Sequence, residues 1–438
     1  MSQTSSATVP APPAPAVRAG PTPLPGPTAL APLGVVPAEV ARPTGSTPAR
    51  LRRLGTVVVA TGLALAVLGT AAMALLTLTL RQSANDVEQL VRVQTIETDL
   101  LVANATNTFL VGGLESPQRR AAYDAALAEV AGLVSQAAQA QPADADALAA
   151  LNALVLDYAG QVEAARANNR QGLPVGAQYL RQASNQLRTD ALPVADELVR
   201  ANTQRANASL TTAWGWVLPL LALGATAVLV VVQVRVARQF KRRINAGLLT
   251  ATLVLLGLSL ASLVALAALA ASVGMARSDF DDVNDAGTAR LQANLAKSSE
   301  SLTLIARGSG QAYEESWRAS STQVTDRLSG TRDAAVFTDR WDEYVAVHTE
   351  IRRLDDGGSW DGAVRLAVGS GEGSSNAAFA PLDQALASFV AGTGTRAVDD
   401  LRGHHAALVL GCVLTFLAGL GAAWAGSRGI AARLKEYR

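Results

Sequence analysis

Three histidines, one cysteine and one glycine-rich run are the places where this 438-residue chain could carry catalysis or hold a metal. His404 and His405 adjoin the edge of an apolar run, and a metal there would need further ligands that no spacing supplies. Cys412 lies inside that run, with no second cysteine to pair with. The run GSGEGSS, Gly369–Ser375, lacks the GK[ST] ending of a phosphate-binding loop and follows no strand pattern. The sequence has no HExxH, no CxxC, and no nucleophile–base pair that spacing singles out. No catalytic, cofactor-binding or metal-ligating residue is expected, and the chain reads as a non-enzyme. His348 differs from the other two because it falls on a helical seam. That is the place of a hydrogen-bonded core histidine or of a pH-sensitive switch.

The remaining candidates are charged surfaces. RVARQFKRRI, Arg235–Ile244, places Arg235, Arg238, Lys241, Arg242 and Arg243 in ten residues without an acid, between two uncharged runs. Basic residues there orient a membrane protein and bind anionic lipid, at ~1 kcal/mol each near the surface. Docking of a cytoplasmic partner would be an additional role. A second cluster, Asp355, Asp356, Trp360 and Asp361, surrounds the turn Gly357-Gly358. An aromatic on an acidic loop serves as a partner contact or as a cap over the apolar end of a bundle.

The elements that must position these residues follow from hydropathy. Four runs, 54–80, 214–234, 244–273 and 406–426, contain no Asp, Glu, Lys or Arg. Each is near or above the ~20 residues that a helix needs to cross a bilayer. Residues 1–53, 235–243 and 427–438 hold 14 Lys/Arg against 2 Asp/Glu, whereas 81–212 and 277–405 hold 23 against 34. Basic flanks stay cytoplasmic. The expected protein is therefore an all-α, multi-pass membrane protein with both termini inside and two extracytoplasmic domains. Its parts are a disordered Pro/Ala-rich tail (1–53, with 12 of the 18 prolines within residues 1–50), spans at 54–80, 213–234, 246–273 and 406–426, outer domains at 81–212 and 274–405, a basic hinge at 235–245 and a basic stub at 427–438.

The two outer domains look like copies. At an offset of 186, Tyr158, Arg166, Gly172, Gly176, Ala177 and Leu180 match Tyr344, Arg352, Gly358, Gly362, Ala363 and Leu366. Leu148, Leu151, Val155, Tyr158, Val162 and Ala165 form a packed-helix seam, and the shift turns it into Ala334, Phe337, Trp341, Tyr344, His348 and Ile351. Breakers near Gly112-Gly113, Gln141-Pro142 and Gly172–Pro174, and near Gly308–Gly310, Gly330 and Gly357-Gly358, divide each copy into an antiparallel four-helix bundle. The first and third turns are then membrane-distal. No breaker separates Leu80 from Val87 or Val273 from Phe280, so the first helix of each bundle should continue from its span. GSGEGSS should interrupt the fourth helix of the second copy.

Small residues at helical spacing, Gly62, Ala66 and Thr70 in the first span and Ala418, Ala422 and Gly426 in the fourth, permit close approach within the chain or in a homodimer. No span holds an Asp, Glu, Lys, Arg or His and only Pro219 breaks the pattern, which argues against transport. No basic, aromatic-studded face suggests nucleic acid. The paired bundles resemble the sensor halves of chemoreceptors and histidine kinases. Across the whole chain, the layout, the short hinge and the composition resemble the actinobacterial GlnX family. That resemblance implies a relay between an extracytoplasmic amino-acid-binding lipoprotein, GlnH, and a cytoplasmic serine/threonine kinase, protein kinase G. It carries over no ligand residues, because no motif anchors them. Direct binding of a small molecule in a bundle, or a structural role in the envelope, are the alternatives.

Overall fold

A computed structural model describes residues 47–106, 117–173, 175–210, 213–240, 245–369 and 371–435. Every element among them is helical and none is a strand. In chain order they are α1 (Thr47–Ala64), α2 (Thr70–Thr106), α3 (Pro117–Ala140), α4 (Ala145–Arg170), α5 (Val175–Gln186), α6 (Leu192–Ser209), α7 (Val217–Phe240), α8 (Ala246–Ile305), α9 (Gln311–Leu328), α10 (Ala334–Asp356), α11 (Trp360–Val368), α12 (Ser375–Gly403) and α13 (His405–Lys435). One π-turn, Leu65–Gly69, joins α1 to α2, and another, Leu187–Ala191, joins α5 to α6. Proline-rich residues 1–46 and the breaker Gly112-Gly113 lie outside the described residues.

Four helical stretches are long and apolar enough to cross a membrane: α1 with the start of α2, α7, the first half of α8, and α13. This is an all-α, multi-pass membrane protein. Apolar side chains such as Leu68, Leu260 and Leu417 face outward along the spans, as hydrocarbon solvent allows. The inward faces share a core that includes Val58, Leu218, Leu229, Leu255 and Ile430. The small residues are used within the chain. A Cβ on Gly62 would lie 2.8 Å from Ala423 Cβ and from Gly419 O, and one on Gly419 would lie 2.6 Å from Ala66 N. α1 and α13 therefore touch backbone to backbone.

Charge marks the membrane edge but not the helix ends. α7 continues through the first six residues of the basic segment to Phe240, and α13 runs on to Lys435, because neither stretch holds a proline. α8 starts at a true cap: Asn245 Oδ1 accepts from Leu248 N at 3.4 Å. The same side chain donates from Nδ2 to Gly429 O of α13 at 2.9 Å. Gly247 and Gly429 meet beside it with no room for a side chain on either.

Above the spans the chain builds two four-helix bundles. The first combines α2, α3, α4 and the α5–α6 pair around the seam Leu148, Leu151, Val155, Tyr158, Val162 and Ala165, all buried. The second combines α8, α9, α10 and the α11–α12 pair around Phe337, Trp341, Tyr344, His348 and Ile351, also buried; Ala334, at the end of the seam, is only half-buried. Gly172 and Gly358, matched at offset 186, both take positive φ (72° and 80°) and close equivalent turns. α2 and α8 are uninterrupted between span and bundle. GSGEGSS ends α11 and begins α12, where Ser374 Oγ accepts from Ala377 N at 3.3 Å.

Contacts at the turns of the second bundle give the direction of its helices. Arg332, after the second turn of the second bundle, binds Asp279 and Asp282 near the span end of α8, at 2.5 and 2.8 Å. Trp360, after the third turn, donates from Nε1 to Leu304 O at the far end of α8, at 3.0 Å. The bundles are not separate bodies. α2 packs along α8 and α12, and Asn104 Nδ2 and Arg188 Nη2 both donate to Ser298 Oγ, at 2.8 and 3.0 Å. A Cβ on Gly394 of α12 would lie 2.9 Å from Val91 Cγ2 of α2. Where the helices enter the spans, Leu80, Val87, Ala206, Val273, Phe280, Ala397 and Leu401 join α2, α6, α8 and α12 in one collar.

Candidate functional site at the membrane-distal end of the second bundle

The seam position of His348 places its ring 3.7 Å from the Trp317 ring and nearly parallel to it. The imidazole is 2% exposed and lies between two carboxylates. Nδ1 donates to Glu300 Oε2 of α8 at 3.0 Å, and Nε2 faces Glu314 Oε2 of α9 at 3.4 Å without forming a hydrogen bond. Glu300 is fully buried. It accepts from Lys297 Nζ and from Ser375 Oγ, at 2.8 and 2.7 Å, and Lys297 also donates to Ser375. Lys297 stands 5.6 Å from the Tyr344 ring, and Tyr344 OH accepts from Trp317 Nε1 at 3.2 Å. The first and last helices of the bundle are thus tied to its middle by charged hydrogen bonds.

Each charge state has a local cause. Burial by itself would push the Glu300 carboxyl up, but Lys297 and His348 outweigh it and hold the carboxyl down at about 2. Burial opposes a charged His348, yet the two carboxylates on either side of the ring, Glu300 and Glu314, prevail and raise it above its ordinary value. Glu314 is held below the usual range in the same way, with His348, Arg352 and Arg318 overcoming its burial. Tyr344, enclosed and close to Glu300, is pushed far up and stays a neutral phenol.

Glu314 is also the floor of an open cleft of about 730 Å³ between the first and third turns. Arg352 reaches into it, bridging Asp355 at 2.7 Å and Asp356, with Glu314 at 3.6 Å. Arg307 lies over the Trp360 ring at 3.8 Å. Of the sequence-derived tip residues, Asp355, Asp356 and Trp360 line this cleft; Asp361 is exposed in the first turn of α11 and does not. Trp360 partly caps the apolar end of the bundle, packing against Ile351, Ala363 and Ala367. Arg235 and Arg238 are exposed on the last turns of α7. Lys241, Arg242 and Arg243 lie outside the described residues.

Sequence reasoning placed His348 on the seam but did not find Glu300, Lys297 or Glu314. One signal was available. An offset of 196 residues, which aligns Arg81, Asp86 and Val87 with Arg277, Asp282 and Val283, puts Glu300 at the register of Asn104 and Lys297 at that of Leu101. Among the described residues no cluster of His, Cys, Asp and Glu is arranged to hold a metal.

A charged network inside one bundle, a cleft above it, and helices that run on into four spans together describe a sensor-type membrane protein. Comparison with protein families gives this class a more particular form: residues 79–211 match the family described as the actinobacterial sensor domain. The match takes in the first bundle from the end of its entering span to the start of the next. No curated protein and no solved structure matches the chain.

Proposed function

We propose that the chain is a non-enzymatic transmembrane relay of the GlnX type, with both termini and the basic hinge in the cytoplasm. An extracytoplasmic amino-acid-binding lipoprotein docks on the distal tips, and a cytoplasmic serine/threonine kinase reads the hinge and the end of α13. The observation that carries this reading is α8. It is one helix of 60 residues, about 90 Å long, from the Asn245 cap to the floor of the distal cleft. A change at the tip therefore reaches the other side of the membrane without crossing a loop. Its size is bounded by the partner's differential affinity for two helix packings. The sensor-domain match supports a sensing role. The basic flanks at 1–53, 235–243 and 427–438 support the orientation and contact with anionic lipid.

Three experiments test the proposal. Cysteines introduced near Arg235 and near Asp356, in a Cys412→Ala background, should label from opposite sides of intact cells. Affinity capture of the tagged full-length chain, after crosslinking in its own cells, should recover a solute-binding lipoprotein and a kinase. Recovery of neither rejects the relay. Charge reversal of Arg238, Lys241 and Arg242 to Glu should disturb topology or signalling; normal behaviour of both would reduce the hinge to an anchor.

A further inference from the structure

The distal cleft has features that docking of a protein does not require. α9 begins at its wall, and Gly310 supplies no side-chain cap. Tyr313 and Glu314 bond back to Gly310 O, while the N–H groups of Gln311 and Ala312 have no backbone acceptor among the described residues. A helix start of this kind favours an anion. Beside it stands Arg307, the one non-glycine residue with positive φ (38°) among those described. Its guanidinium stacks on Trp360 and has no ion-pair partner among the described residues, so its N–H edge can meet a carboxylate while the stack stays intact. Glu315 lines the same cleft and, among the described residues, accepts only from Gln311, at 3.0 Å. Beneath the floor, His348 Nε2, on a side chain that is 2% exposed, faces the floor carboxylate Glu314 as an ion pair at 3.4 Å, too long for a hydrogen bond.

We infer that this cleft is a binding site on the chain itself for a small zwitterion. The ligand carboxylate would sit on Arg307 and the start of α9, and its ammonium on Glu315 within the acidic rim that Asp356 completes. The cleft volume suits a metabolite of this size. Arg307, Arg318 and Arg352 face Glu314, Glu315, Asp355 and Asp356, so a ligand with one charge of each sign is matched. A dicarboxylate or a diamine is opposed by half of the lining. Occupancy would draw on Glu314, and through it on the His348–Glu300 pair that binds α10 to α8. This inference goes beyond the relay, because it needs no partner protein.

The test is calorimetric titration of the full chain in nanodiscs with each common α-amino acid. Succinate and putrescine serve as ligands carrying only one sign of charge. At least one amino acid should bind saturably, and Arg307→Ala and Glu315→Gln should each weaken it about tenfold or more, as loss of a charge-assisted bond implies. Both residues are exposed, so both variants should keep the parent melting temperature. The assignment is overturned if no amino acid binds tighter than ~10 mM. It is equally overturned if succinate or putrescine binds as well as the best amino acid, or if neither variant changes affinity. Partner capture is read separately, so failure here leaves the relay standing, and failure of capture leaves this site standing.

Discussion

The two bundles share a plan and differ in what they enclose. At corresponding seam positions the first has Val162 where the second has His348, and at corresponding places on the entering helix it has Asn104 where the second has Glu300. Asn104 is satisfied by neutral partners, accepting from Ser184 Oγ at 2.5 Å and donating to Ser298 across the junction. Glu300 is satisfied by a lysine, a histidine and a serine within its own bundle. In the first copy this level is a joint with the neighbouring bundle, whereas in the second it is a closed ionic cluster under an open cleft. The two bundles keep one frame and differ in what they bury at this level, a neutral amide in one and an ionic cluster in the other.

Removing the centre of the cluster should break the comparison most sharply. Glu300→Ala leaves Lys297 and His348 buried without their anion, at a cost of ~3–5 kcal/mol, and should loosen α8, α10 and α12. Asn104→Ala should cost ~1–2 kcal/mol and loosen the junction instead. Hydrogen exchange on the full chain distinguishes the two, and equal loosening of both bundles by either variant would end the claim of distinct roles. Next in size is the junction itself. Gly394→Leu drives a side chain into Val91, which should cost ~1–3 kcal/mol and separate the bundles while each keeps its own protection.

The pH dependence should differ between the copies. His348 carries a raised pKa, so its contribution is complete below 6.5 and is lost as pH rises through the raised value. Glu300 carries a lowered one, so its contribution is complete above 4.5 and is lost as pH falls toward about 2. The first bundle has the opposite kind of carboxyl. Burial pushes Glu97 up to about 8, with Asp196 adding to it, so this bundle should weaken as pH rises from 4.5 to 8. Glu97→Gln should flatten that slope without touching the second bundle, as hydrogen exchange across that range would report. The smallest effect is expected from Trp360→Phe. It removes one hydrogen bond to Leu304 O, about 1 kcal/mol, and should fray only the distal turns.

Much of this frame was legible in the sequence because it is local. Charge-free runs mark the spans, Gly330 and Gly357-Gly358 mark turns, and the spacing from Leu148 to Ala165 marks a buried face. What was not legible depends on residues far apart in the chain. His348 and Glu300 are 48 positions apart, and Asn104 and Ser298 are 194 apart. Periodicity says that a residue faces inward, but not what it will meet there. The side-by-side packing of the bundles was hidden for the same reason: Val91 is an ordinary apolar residue of α2 until Gly394 of the other copy leaves room for it.

The clasp at the opposite end of α8 limits how the molecule can move. Asn245 holds α8 to α13, Gly247 and Gly429 leave those helices no room to slide, and Gly62 with Gly419 locks α13 to α1 in turn. Three of the four spans therefore behave as one body. α7 is held by larger side chains, such as Leu229 and Val232, and by Thr252 of α8, which donates to its Gln233 at 3.3 Å, while nothing crowds its Gly224. The contacts of α7 lack the backbone-to-backbone approach found among the other three, and α7 is the helix that ends in Arg235 and Arg238. Distances from α7 to α13 should change with the state of the distal bundle while those from α8 to α13 stay constant, a contrast that paired spin labels would resolve.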